Sequence, residues 1–69
     1  MDIRRRAGLN IKRARAAKGW SQEELADQAG VHRTYVSGLE RGVRNPTIVV
    51  LEKMAKALGV APASLLDHD

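Results

Sequence analysis

The 69-residue sequence contains no cysteine. That excludes disulfide staples and thiolate metal sites. It has only two prolines and no β-type alternation of apolar and polar residues, which argues against a sheet. The longest apolar run is Ile48–Leu51, far below the roughly 18 residues of a membrane span. No basic region followed by an apolar stretch marks a signal peptide. Together these absences lead one to expect a cytoplasmic protein with no membrane association. There is no G-x-x-x-x-G-K phosphate loop. His32 and His68 lack close nitrogen or sulfur ligands, and Asp67, His68 and Asp69 read more simply as a solvated chain end than as a metal site. Ser37 and His32 have no third group to orient them as a triad would need. No enzyme, metal, cofactor or small-molecule ligand is therefore expected.

What is present is a small, basic chain. Its length allows one domain, residues 1–69, and a thin core that buries roughly 60% of the unfolded surface. Lysines and arginines number 12 against 8 acids, and their distribution is uneven. Residues 1–20 hold seven basic residues against Asp2 alone, a net of +6, whereas the remainder is net −2. Such an excess suits a surface that meets a polyanion, and it equally suits a solvated helix face.

Apolar residues recur at three-to-four spacing, the period of helices. Ile3, Ala7, Ile11 and Ala14 make one stripe, ended by Gly19. Leu25, Ala26 and Ala29 make a second; Tyr35, Val36 and Leu39 a third. After a loop at Gly42–Pro46, Ile48, Leu51, Met54, Ala55 and Leu58 make a fourth, stopped by Gly59. Pro62 suits the first turn of a short fifth helix carrying Leu65 and Leu66.

The stretch SQEELADQAGVHRTYVSGLERG, residues 21–42, breaks one good helix after two turns and restarts it at once. Ser21 and Glu24 fit a capping box, with Trp20 and Leu25 placed as a hydrophobic staple. Gly30 can take the left-handed conformation that ends a helix, Val31 folding back on Ala26. A sharp turn of about three residues then gives a helix-turn-helix. At 100° per residue, the second helix of the pair turns Tyr35, Val36 and Leu39 inward. Arg33, Thr34, Ser37 and Arg41 lie on the opposite side, with Gly38 at its edge. That outward side offers hydrogen-bonding groups and no acid. A helix of this width fits the DNA major groove, where Arg bridges guanine O6 and N7.

The run from Ile11 to Leu66 resembles the Cro and lambda-repressor-like (XRE-type) helix-turn-helix family. The resemblance is carried by G-W-S-Q-E-E-L-A from Gly19, G-V at Gly30–Val31, Y-V-S-G-L-E-R-G from Tyr35, R-N-P at Arg44–Pro46 and A-L-G-V from Ala57. It covers about four-fifths of the chain and is similar to small stand-alone controller proteins of restriction–modification systems. The resemblance implies an all-α, compact five-helix bundle whose third helix reads double-stranded DNA. It also implies a homodimer on a near-palindromic operator. By position, Arg33, Thr34 and Ser37 would face base edges, and Gln22 would bind phosphate or brace the reading helix. Arg41, Arg44 and Asn45 would hold the phosphate backbone, and Arg15 and Glu40 would form an ion pair between the first and third helices.

The sequence departs from the family pattern in three ways. His32 stands where a Ser or Thr cap is usual, so either the helix start frays or His32 joins the base readers. Gly38 sits inside a helix at a cost of about 1 kcal/mol relative to Ala, where relatives can carry a base reader; it either permits closer backbone approach or is a tolerated small residue. Ala7 and Ala14 replace larger core residues, leaving Trp20 and Met54 to compensate. Val49, Val50, Leu65 and Leu66 are left over as a candidate self-complementary dimer face. The expected function is transcriptional regulation by occupancy, blocking RNA polymerase or touching it. The competing reading, from a different class, is an antitoxin-like protein-interaction module with secondary DNA binding.

Overall fold

The computed structural model describes residues 2–68. Four α-helices follow in order: α1 Ile3–Ala17, α2 Gln22–Ala29, α3 Arg33–Glu40 and α4 Ile48–Leu58. The chain closes with a 3-10 helix, Pro62–Leu66. The fifth element is therefore not α-helical. Its bonds run from Ser64 N–H to Ala61 O at 3.0 Å and from Asp67 N–H to Ser64 O at 3.3 Å, the tighter i→i+3 pattern of a short turn. No strand occurs among the described residues, and no helix there is long and apolar enough to cross a membrane.

Caps set the helix boundaries. Asp2, Ser21 and Thr47 each accept a bond from a backbone N–H of the first turn, at 2.7, 3.0 and 3.1 Å. The Glu24 carboxylate accepts from Gln28 Nε2, one turn on. At the other end of α2, Gly30 adopts φ 72°. Its N–H bonds to Asp27 O, and that of Val31 to Ala26 O at 3.0 Å, so the last turn is closed before the chain swings into α3. His32 occupies the cap position of α3 without a side-chain cap bond.

The core gathers one side of every element. Ile11, Leu25, Val36, Leu39, Met54 and Leu65 are its largest fully buried side chains, each worth roughly 1.5–3 kcal/mol of burial. Ala14, Trp20 and Tyr35 pack partly against it, and Trp20 carries the Lys18 ammonium 4.8 Å from its ring centroid. The fourth stripe does not hold throughout. Ile48 is 87% exposed and Ile3 is 54% exposed; both stand at the first residue of their helices and line an open cleft instead of the core. Leu65 errs the other way. It is 1% exposed in this chain's own core and so is not available to a partner.

The closing segment is tied to α1 by side chains. Asn10 Nδ2 donates to Leu65 O at 3.0 Å and to Asp67 O at 2.9 Å, and Arg6 Nη1 donates to Leu66 O at 3.2 Å. Much of the basic excess in α1 is thus engaged within the molecule. Arg4 pairs with Asp2 at 3.0 Å, Arg6 holds a carbonyl and Arg15 holds an acid.

Candidate nucleic-acid interface

α3 is fixed from below by one buried charged cluster. Arg15 Nε and Nη2 donate to Glu40 Oε2 and Oε1 at 2.7 and 3.0 Å. Arg15 Nη1 donates to Trp20 O at 2.7 Å, and Gln22 Nε2 donates to Glu40 Oε1 at 3.1 Å. One carboxylate at the end of α3 therefore binds α1 and the first residue of α2. The Arg15 side chain is 15% exposed and that of Glu40 is 3% exposed. The hydrogen bonds that Arg15 donates to Glu40 raise its pKa above its ordinary value against the opposing effect of burial. No buried side-chain polar atom among the described residues lacks a partner. Of the two roles open to Gln22, the geometry places its amide on the brace.

The opposite side of α3 is open. His32, Arg33 and Thr34 are exposed and Ser37 is half-buried. Arg41, Arg44 and Asn45 are exposed just beyond the helix. By the helical period Arg33, Thr34, Ser37 and Arg41 form a strip along one side of α3, with Arg44 and Asn45 in the loop after it, and among the described residues none of Arg33, Arg41 and Arg44 is in an ion pair. The strip is thus pre-arranged for an anionic partner that also carries hydrogen-bonding edges.

Gly38 is buried because the Arg44 side chain covers it. The loop after α3 folds back so that Val43 N–H and Arg44 N–H both donate to Gly38 O, at 3.1 and 3.3 Å. The Arg44 side chain then lies over the glycine and brings its guanidinium carbon 5.9 Å from the Tyr35 ring centroid.

Gly8 and Asn10 are structural residues that the sequence did not disclose. A Cβ on Gly8 would collide with the Leu39 carbonyl oxygen, so only glycine lets α1 cross the end of α3 this closely. Asn10 acts only through carbonyls of the distant closing segment, which no local pattern announces.

A helix-turn-helix family model matches residues 11–65. The chain belongs to this family. It is 46% identical over 67 residues to the control protein C.BamHI of Bacillus amyloliquefaciens, covering 96% of this chain and 83% of that one. The fold superposes with a TM-score of 0.90 on the restriction–modification controller protein C.AhdI of Aeromonas hydrophila, at 42% identity, covering 94% of this chain and 98% of that one. It superposes with a TM-score of 0.84 on SinR, a master regulator of biofilm formation, in a structure with DNA, at 45% identity, covering 88% of this chain and 98% of that one. The resemblance read from the G-W-S-Q-E-E-L-A and Y-V-S-G-L-E-R-G segments is borne out.

The remaining site residues divide by position. Asp69 lies outside the described residues, and among those described no group of three His, Asp or Glu side chains is placed to hold a metal. Of the leftover apolar residues, Leu66 lines an open cleft. This cleft of about 290 Å³ lies between the starts of α1 and α4 and the closing 3-10 helix, lined in part by Ile3, Ala7, Ile48, Leu51 and Leu66. Val49 is exposed beside it, and Val50 is half-buried against the core.

Proposed function

We propose that the protein is a sequence-specific double-stranded DNA-binding transcriptional regulator that acts by occupancy, not catalysis, as a single helix-turn-helix unit in the cytoplasm. The observation that carries this reading is the acid-free strip of Arg33, Thr34, Ser37, Arg41 and Arg44, held outward by the buried Arg15–Glu40–Gln22 brace. Arg33, Thr34 and Ser37 enter the major groove and meet base edges, with His32 at the helix start beside them. Arg41, Arg44 and Asn45 grip the phosphates on either side, which sets the register but carries no sequence information. The kinship with controller proteins and with a regulator solved on DNA supports this assignment.

Two copies pair through the apolar face around Ile48 and Leu66, with Val49 at its side. This sets the two reading helices about 34 Å apart, one DNA turn, on a near-palindromic operator. Bound there, the dimer excludes RNA polymerase or touches it. The same apolar face is what favours the competing reading, a protein-interaction module with secondary DNA binding.

Selection from a random duplex pool separates the two. The DNA reading expects a recovered site with two related halves and an affinity whose logarithm falls with log salt by roughly 0.9 per phosphate neutralised. Recovery of no preferred sequence would leave the interaction-module reading.

A further inference from the structure

Gly38 is a buried glycine in the middle of the reading helix, a residue type that weakens a helix, so its presence there calls for a physical reason. The reason lies on its surface. A Cβ built at Gly38 would meet Arg44 Cγ at 2.5 Å, Nε at 3.4 Å and Cδ at 3.5 Å. All three nearest atoms belong to one side chain, so the Arg44 stem from Cγ to Nε lies over the notch that the missing side chain leaves. Two backbone bonds hold the base of that stem, from Val43 and Arg44 N–H to Gly38 O. The Tyr35 ring flanks its far end at 5.9 Å, within the range of cation–π attraction. An exposed arginine is thereby confined at its root, along its stem and at its head, while its guanidinium N–H groups stay free.

We propose that Gly38 is a positioning residue for DNA binding: its notch seats the Arg44 stem and, with Tyr35, holds the guanidinium in place before a phosphate arrives. This rests on the reading of Arg44 as a phosphate ligand. Glycine acts here by what it lacks. Any side chain at this position fills the trough and drives Arg44 off it, and the long side chain must then be ordered at the moment of binding.

The test is a double-mutant cycle on the full chain: wild type, Gly38→Ala, Arg44→Ala and the double variant. Each is titrated onto one duplex recovered by selection, with thermal unfolding and the relaxation of the Arg44 Nε–H vector in the free protein measured alongside. Gly38→Ala is expected to weaken binding about two- to tenfold, the range set by ordering one long side chain. It should leave the melting temperature unchanged or raised, since Ala favours helix over Gly, and should make the Nε–H vector mobile. Arg44→Ala should weaken binding further, and Gly38→Ala should then add nothing. Wild-type affinity in Gly38→Ala, while Arg44→Ala binds weakly, overturns the positioning role alone. An equal loss from Gly38→Ala with and without Arg44 also overturns it, since Gly38 would then act through its own backbone. Wild-type affinity in Arg44→Ala overturns the phosphate reading beneath both.

Discussion

Gly8 of α1 lies directly against the Leu39 carbonyl of α3, and a Cβ there would also stand 3.0 Å from the Glu40 carbonyl oxygen. The obstruction is backbone on both counts, so it cannot be relieved by turning a side chain. Gly8→Ala gains about 1 kcal/mol of helix propensity but forces α1 and α3 apart, an overpacking cost of about 1–3 kcal/mol. The clash should win. We expect a net loss of up to about 2 kcal/mol, which at roughly 4–8 °C per kcal/mol in a domain of this size lowers Tm by up to about 15 °C. Unchanged thermal unfolding would show that the crossing is looser than this geometry.

Glu40 is the common acceptor of Arg15 and Gln22. Arg15→Ala leaves its carboxylate almost wholly buried with only the Gln22 amide beside it, a loss of roughly 3–5 kcal/mol. Replacing both members together, Arg15→Met with Glu40→Leu, removes the stranded charge and should cost much less. Denaturant unfolding of Arg15→Ala, of the single variants Arg15→Met and Glu40→Leu and of the double variant tests this. Additive losses in the double variant would mean that the pair does not function as a unit.

The contrast between these residues shows how far the sequence reached. Ser21 and Gly30 act on their own neighbours within a turn, so their helix boundaries are legible from short patterns. The open side of α3 follows from 100° steps along eight residues. Ile3 and Ile48 were misplaced in the core because periodicity gives the direction of a side chain but not whether a neighbour reaches that far. Leu65 was misplaced outward because Pro62–Leu66 is too short to show a period, and its burial depends on Asn10 and Arg6 drawing the segment onto α1. Gly8 and Gly38 owe their meaning to contacts 31 or 32 and six residues away with another helix or loop, and nothing local distinguishes them from tolerated small residues.

Acid should loosen the start of α1. The side-chain and backbone hydrogen bonds from Arg4 hold the Asp2 carboxyl down from 3.8 to about 2. A depressed carboxyl stabilises the fold above its ordinary range, and this contribution is lost as pH falls through about 2. The pair is exposed, so salt weakens it. A carboxyl-carbon titration of Asp2 should give a midpoint near 2, moving up in Arg4→Ala. A midpoint at the ordinary carboxylate value would remove the cap bond.

The apolar face predicts an association defect that spares the fold. Ile48 is 87% exposed and Leu66 is 36% exposed, so charge there costs the monomer little. Ile48→Asp should shift sedimentation toward the monomer and reduce operator affinity while Tm at low concentration stays near wild type. Unaltered sedimentation would place the pairing surface elsewhere.

Arg33 and Arg41 carry the same charge on the same open strip, and their difference lies in what each can reach. Arg33 is in the first turn of α3, the part of a reading helix that enters the groove first, where a guanidinium can bridge two acceptors on one guanine. Arg41 caps the far end of the helix, beside the loop that follows the groove's edge. Arg33→Ala should therefore cost about 1–3 kcal/mol on the selected site and little on other duplexes, relaxing the preference at one base pair. Arg41→Ala should weaken every duplex alike and lower the salt slope by roughly 0.9. Titration of both variants on selected and scrambled duplexes across salt distinguishes these outcomes. Were Arg33→Ala to weaken all sequences equally, that arginine would belong with the phosphate contacts, and specificity would have to rest on Thr34 and Ser37.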